Sequence, residues 1–210
     1  MNVYIRPSSL LLIGLVAAGS LLDAQTPQQP TIPDLLARTP DAGWGGGSIP
    51  SGPIPTVDRI LSKADIVVRV KIGSGSSHLS DDQREILTDY TIGNPSYVFQ
   101  RHAANTPVPG IAPAMTVTLF GGIVNINGRV VDFREAGLPE LPVGADCLLM
   151  LQRIGDRYFP VGRIYGVFRV QQGKTTSLTR REGFAEEYRN RDVNQVVADI
   201  INRSSVHQPQ

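Results

Sequence analysis

The dipeptide Asn127-Gly128 stands between two β-branched runs, Ile123-Val124-Asn125-Ile126 and Arg129-Val130-Val131-Asp132-Phe133. A two-residue hairpin turn needs positive φ at both central positions, which Asn and Gly accept at least cost, so a tight antiparallel hairpin is predicted here. The surrounding segments read the same way. Asp65 to Ile72 sets Arg69 and Lys71 against Val and Ile, the alternation of a half-buried strand. Ile86 to Gln100 is β-branched and aromatic, with Gly93-Asn94-Pro95 forcing a bend or bulge. Met115 to Ile126 carries Gly121-Gly122, a bulge or corner. Pro142-Val143-Gly144 opens Ala145 to Ile154, which is apolar on both faces and so belongs in the middle of the fold. Gly155-Asp156 then turns the chain into Arg157 to Val161 and Ile164 to Val170, and Gln171-Gln172-Gly173 turns it into Lys174 to Thr179.

Two helices frame these strands. Thr56 is an N-cap for Val57, Ile60 and Leu61, giving a short helix up to Ala64. Near the end, Val193, Val196, Val197, Ile200 and Ile201 make one apolar stripe, with Asp192 as N-cap and Gln195 at capping-box spacing. That stripe must be buried against the sheet or against another chain. Short strands with Gly/Pro punctuation predict a mainly β domain, a barrel or sandwich with a helix packed on it. The divisions expected are a barrel domain at 56–180, a helical segment at 181–203 and a disordered tail at 204–210.

The N-terminus speaks to location. Arg6 precedes an apolar run from Leu10 to Leu22, which ends in Leu22-Asp23-Ala24-Gln25. This is the pattern of a secretory signal peptide cut between Ala24 and Gln25. As a helix the run would span about 20 Å, short of the roughly 30 Å hydrocarbon core, which disfavours an anchor. No cysteine lies near the cut to accept a lipid, and no later stretch is long and apolar enough to span a membrane. A secreted or periplasmic protein without a transmembrane anchor is expected. Arg6 and Asp23 cancel, so the mature net charge stays at +1, which gives no electrostatic reason for nucleic acid or a membrane surface as partner. Residues 25–55 are rich in Pro, Gln, Gly and Ser and read as a flexible leader. Within it Pro33 to Arg38 fits a turn of helix, and Trp44, the sole tryptophan, is expected to dock on the domain surface, with a carbohydrate or partner contact as the alternative.

The order of elements over 56–170 carries a resemblance. Ala64-Asp65-Ile66-Val67-Val68-Arg69-Val70, Pro142-Val143-Gly144 leading into an apolar strand, and Gly166-Val167-Phe168-Arg169-Val170 are its main marks. In these the chain resembles exported bacterial proteins with an OB-like barrel, distantly similar to the netrin-like domains of tissue metalloproteinase inhibitors. The resemblance implies an OB-like closed or partly open β-barrel. It does not carry the inhibitory mechanism, because those inhibitors chelate zinc through an N-terminal cysteine. Here Cys147 is the only cysteine, set in an apolar run as a buried thiol would be.

Catalytic signatures are missing: no H-E-x-x-H, no G-x-S-x-G and no P-loop. Gly73-Ser74-Gly75-Ser76-Ser77-His78 places serines beside a histidine, but reads as a flexible hairpin loop between strands. His78, His102 and His207 share no metal-ligand spacing, and Asp81-Asp82 reads as a turn pair. No catalytic, cofactor or metal residues are therefore assigned. Arg157, Tyr165 and Arg169 interleave basic and aromatic side chains, a candidate binding face for a protein partner. Export and the near-zero charge argue against nucleic acid. The function expected is non-catalytic binding of another exported protein or an envelope component. The competing classes are a secreted hydrolase or metal-dependent enzyme with an unrecognised site, and an envelope subunit that self-associates through its helix. N-terminal sequencing of the exported protein should begin at Gln25; an N-terminus at Met1 would remove the export reading.

Overall fold

A computed structural model describes residues 29–38, 53–101, 115–134, 140–163, 165–179 and 185–206. The export segment with Ala24 and Gln25, and likewise Trp44, His102 and His207, lie outside the described residues.

Strand β1 (Ile66–Leu79) pairs antiparallel with β2 (Ile86–Gln100), and β2 with β3 (Met115–Ile126). Asn127 and Gly128 take φ of 53° and 82° and turn β3 into β4 (Arg129–Arg134), the hairpin read from the sequence. Strand β5 (Asp146–Ile154) lies antiparallel to β1, and β6 (Arg157–Pro160) is antiparallel to β5. A parallel contact, Val117 opposite Tyr158, joins β3 to β6. The strands thus close a ring in the order β1-β2-β3-β6-β5-β1. Beyond it β5 also pairs with β7 (Val167–Gln171), followed by β8 (Lys174–Ser177) and β9 (Arg191–Asp192). The chain is mainly β, as expected.

Strand β5 has the central place its composition predicted. Cys147 to Leu151 are wholly buried. Cys147, Leu149 and Leu151 stand opposite Val70, Val68 and Ile66 of β1, all on one face. On the other face Leu148 stands opposite Phe168, whose ring meets Tyr188 edge-on at 5.9 Å. Each such side chain contributes roughly 1.5–3 kcal/mol by leaving water. Burial also pushes the Cys147 thiol up to about 12, so the thiol is inert at neutral pH.

The glycine-rich segment Gly73–His78 is not the flexible loop expected. It continues β1, paired with β2 from Gly75 opposite Tyr90 to Leu79 opposite Ile86. The glycines serve close approach: a Cβ on Gly75 would stand 2.8 Å from the Tyr90 ring. The turn falls later, where the Ser80 hydroxyl accepts from the Arg84 and Glu85 amides at 3.2 and 3.0 Å. Asn94, with φ of 48°, marks the bulge expected at Gly93-Asn94-Pro95, where the register slips between Arg69 and Lys71. At the other corner, Gly121 and Gly122 take φ of 97° and 141°, and a Cβ on Gly122 would collide with the Ser77 and Thr88 hydroxyls. Strand β3 can therefore leave the ring there and pair with β4.

Helix α1 (Ile32–Arg38) forms where Pro33 to Arg38 was expected to give a turn of helix within the leader. Its Leu36 is buried in a second core with Ile86, Val124, Ile126 and Val131. The Ile32 amide donates to the Gln83 carbonyl at 2.9 Å, and Arg129 donates to the Leu36 carbonyl at 2.8 Å. The few apolar side chains of this segment suffice because β3 and β4 present a ready-made apolar face.

The remaining helices lie under the main core. Helix α2 (Val57–Leu61) is capped by the Thr56 hydroxyl, which accepts from the Arg59 amide at 3.2 Å, and Arg101 donates to the Leu61 and Ala64 carbonyls at its far end. Helix α3 (Val193–Val206) is capped by Asp192, which accepts from the Asn194 and Gln195 amides. Its Val193, Val196 and Ile200 are buried in this domain's own core, so most of the stripe is spent within the chain. Arg203 ties these pieces together through ion pairs to Asp58 (3.1 Å), Glu187 (3.0 Å) and Asp199 (3.0 Å).

Burial, then a 2.8 Å hydrogen bond donated to Asp199, pushes the Tyr188 phenol above its ordinary value. Its proton is thus held more tightly in the folded chain than in the unfolded one. The stabilisation is complete below pH 10 and is lost as pH rises through the folded value. Tyr188→Phe should lower stability at pH 7 by about 1 kcal/mol and flatten the decline above pH 10. Urea unfolding at pH 7, 10 and 11 checks this; identical alkaline slopes in the two proteins would refute it.

Candidate functional site

Alternation along the strands assigns Asp89, Thr118, Arg157 and Phe159 to the outer face of the ring, since Tyr90, Val117 and Tyr158 between them pack on the core. Asp89 is the hub of this face. One carboxylate oxygen accepts from the Thr118 hydroxyl at 2.6 Å. The other lies 3.0 Å from His78 Nε2 and 3.9 Å from an Arg157 nitrogen. His78 Nδ1 lies 2.8 Å from the Leu79 carbonyl. Both ring nitrogens of His78 therefore face acceptors within the protein, and neither is directed at a substrate. Ser77, its neighbour, points to the opposite side of the strand, where its hydroxyl meets Thr88 at 2.8 Å and Thr88 donates to the Gly121 carbonyl. The pleat thus separates the serine from the histidine, and no nucleophile–base pair forms.

Beside this hub the face becomes aromatic. Phe120 and Phe159 stack at 5.6 Å between centroids, and the Arg163 guanidinium lies 4.1 Å over the Phe120 ring. Arg163 also reaches Glu85 at 3.8 Å. It projects from the turn after β6 with φ of 64°. Here the surface dips into a cavity of about 350 Å³ between α1, β4 and the start of β2. Ile32, Leu35, Ile86, Phe120, Val131 and Phe133 line it, with Arg84, Glu85 and Arg163 supplying the polar groups. An apolar floor with a few converging polar groups is the usual form of a ligand site. A second depression at the β1–β2 bulge is wide and shallow, and its Arg69 is held by Asp146 at 2.6 Å.

The residues chosen from sequence do not form one face. Arg157 lies on the outer face beside Asp89. Tyr165 is only 4% exposed and packs in the main core, because the chain turns at 165–166 and β7 starts at Val167 rather than Ile164. Arg169 is half-buried on β7, opposite Cys147 and remote in the sheet order from β3. Phe120 and Phe159 were missed, although the alternation of Thr116, Thr118 and Phe120 along β3 carried a signal for the first. Ile32 and Leu35 gave none, since their role depends on where α1 docks. Among the described residues, no group of three His, Cys, Asp or Glu side chains is placed to hold a metal ion, and no helix is long and apolar enough to cross a membrane. Compared with models of known protein families and with curated proteins, the chain matches none.

Asp89→Ala should cost about 1–3 kcal/mol, because it strips the acceptor from Thr118 and leaves His78 and Arg157 without their anion. Asp89→Asn, which keeps an acceptor for Thr118, should cost less. Urea midpoints of the two variants decide this; an unchanged midpoint for Asp89→Ala would show that Asp89 is not the hub.

Proposed function

We propose that the mature chain is an exported, non-catalytic binding module on an OB-like barrel, which recognises another exported protein or an envelope component through the cavity beside α1. The strand order of the ring supports the OB-like reading, since five strands with a parallel contact between the third and the last suit a small Greek-key barrel. Barrels of that type bind on the face of their second and third strands, and the Asp89–Phe120 surface is that face here.

The observation that carries the proposal is the cavity: four partly exposed apolar side chains, Ile32, Leu35, Phe120 and Phe133, over the buried Ile86 and Val131 and beside two guanidinium groups. Hydrocarbon left open to water in a concave site is costly to a domain that has no use for it. Binding is favoured over hydrolysis because the histidine on this face spends both ring nitrogens on the protein itself. Self-association through α3 is disfavoured because Val193, Val196 and Ile200 are already buried in their own domain.

A photo-reactive residue placed at Leu35 or Arg84 should form a cross-linked adduct in the exported fraction. The same residue at Lys174, exposed on β8, should form none. Adducts from Lys174 alone, or equally from all three positions, would overturn the assignment of the cavity.

A further inference from the structure

Helix α1 carries its own local signals before it meets the sheet. Thr31 and Asp34 close a reciprocal cap. The Asp34 amide donates to the Thr31 hydroxyl at 3.3 Å, and the Thr31 amide donates to the Asp34 carboxylate at 3.1 Å. Ile32, Leu35 and Leu36 fall at i, i+3 and i+4 and make one apolar stripe. A helix of 7 residues is too short to persist in water alone, so the stripe needs a surface.

That surface is a groove made by the β3–β4 hairpin and the start of β2. Leu36, the one buried side chain of α1, packs among Ile86, Val124, Ile126 and Val131. Arg129 donates to the Leu36 carbonyl, an acceptor that the helix end leaves without a partner inside the helix. The Ile32 amide donates to the Gln83 carbonyl. This is how a groove recognises an amphipathic helix, here met by a segment of the same chain. The hold is slight: β5 buries Cys147 to Leu151 completely, whereas α1 buries Leu36 alone. At 1.5 Å per residue α1 is only about 10 Å long. It leaves Phe120 and Phe133, beside it, partly exposed.

We propose that α1 is an autoinhibitory strap, a tethered stand-in that fills a groove for the amphipathic helix of a partner protein. Residues 39–52 tether α1 to the segment before α2, and a link of that length gives an effective concentration on the order of mM. A competing helix must therefore bring more contacts than α1 does. A longer helix of the same pattern gains the rings of Phe120 and Phe133. A second copy's α1 gains nothing, since its contacts are the same. The inference goes beyond the binding-module reading, because the groove lies under α1 and its test needs no exported partner.

Fluorescence anisotropy of a labelled peptide of residues 29–40, added to the full mature chain, tests it. In the wild-type chain the tethered α1 competes with the peptide. In Leu36→Ala the tethered helix loses its anchor, and the peptide should bind at least ~10-fold more tightly. A peptide that itself carries Leu36→Ala should not bind. Amide hydrogen exchange of the wild-type chain is a second measurement that needs no variant. Leu35 to Ala37 should exchange at least ~100-fold faster than Leu148 to Leu151, as a segment that opens without global unfolding does. Equal peptide affinity for the two chains, no binding to either, or binding of the altered peptide overturns the proposal, as do α1 amides as slow as those of β5. A concentration-dependent dimer of the wild-type chain that excess peptide dissolves also overturns it, and would assign the groove to a second copy.

Discussion

The pairing of β5 with β1 along Asp146–Leu151 is the constraint on which the rest of the molecule depends. Without it, among the described residues, the strand pairing between the β1-β2-β3 meander and the β5-β6 hairpin would be reduced to Val117 opposite Tyr158. With it the sheet closes on itself, and Ile66, Val68 and Val70 are sealed against Leu151, Leu149 and Cys147. Burial on both faces then forces a second layer to form. Leu148 cannot face water without penalty, so Phe168, Tyr188 and α3 are drawn over it, and the C-terminal third becomes part of one core.

Two charged hubs divide the remaining work. Arg203 gathers Asp58, Glu187 and Asp199 and fastens α2, the turn at Glu186–Tyr188 and α3 to one another. Three carboxylates this close would repel each other without the guanidinium, so the hub fixes the arrangement of segments that share little backbone pairing. Asp89 inverts the pattern, an anion gathering His78, Thr118 and Arg157 on the outer face of the ring. It holds a rigid polar wall beside the aromatic pair Phe120–Phe159. The cavity thus opens beside a surface whose side chains are held by one another.

Much of the fold was legible because local signals are strong where backbone geometry is demanding. Asn127-Gly128 needed positive φ, Thr56 and Asp192 needed to cap helices, and β5 declared its central place by carrying hydrophobes on both faces. The failures share a cause. Gly73 to His78 has the composition of a loop, yet its glycines serve the approach of Tyr90 and Thr91 from the neighbouring strand, a fact of pairing and not of local preference. Tyr165 was placed on an open face by extending period-two alternation three residues too far, past the turn that buries it.

By itself the sequence determined the kinds of elements, most of their bounds, and which side chains alternate into a core, because propensity, capping and periodicity act over a few neighbouring residues. Only the tertiary structure decided which distant segments meet. It set Arg163 over Phe120, turned His78 towards Asp89, and laid α1 from the Pro-rich leader against β4 to complete the cavity. These contacts join residues 11 or more positions apart. Their existence depends on ring closure and packing, which no local pattern of residues encodes.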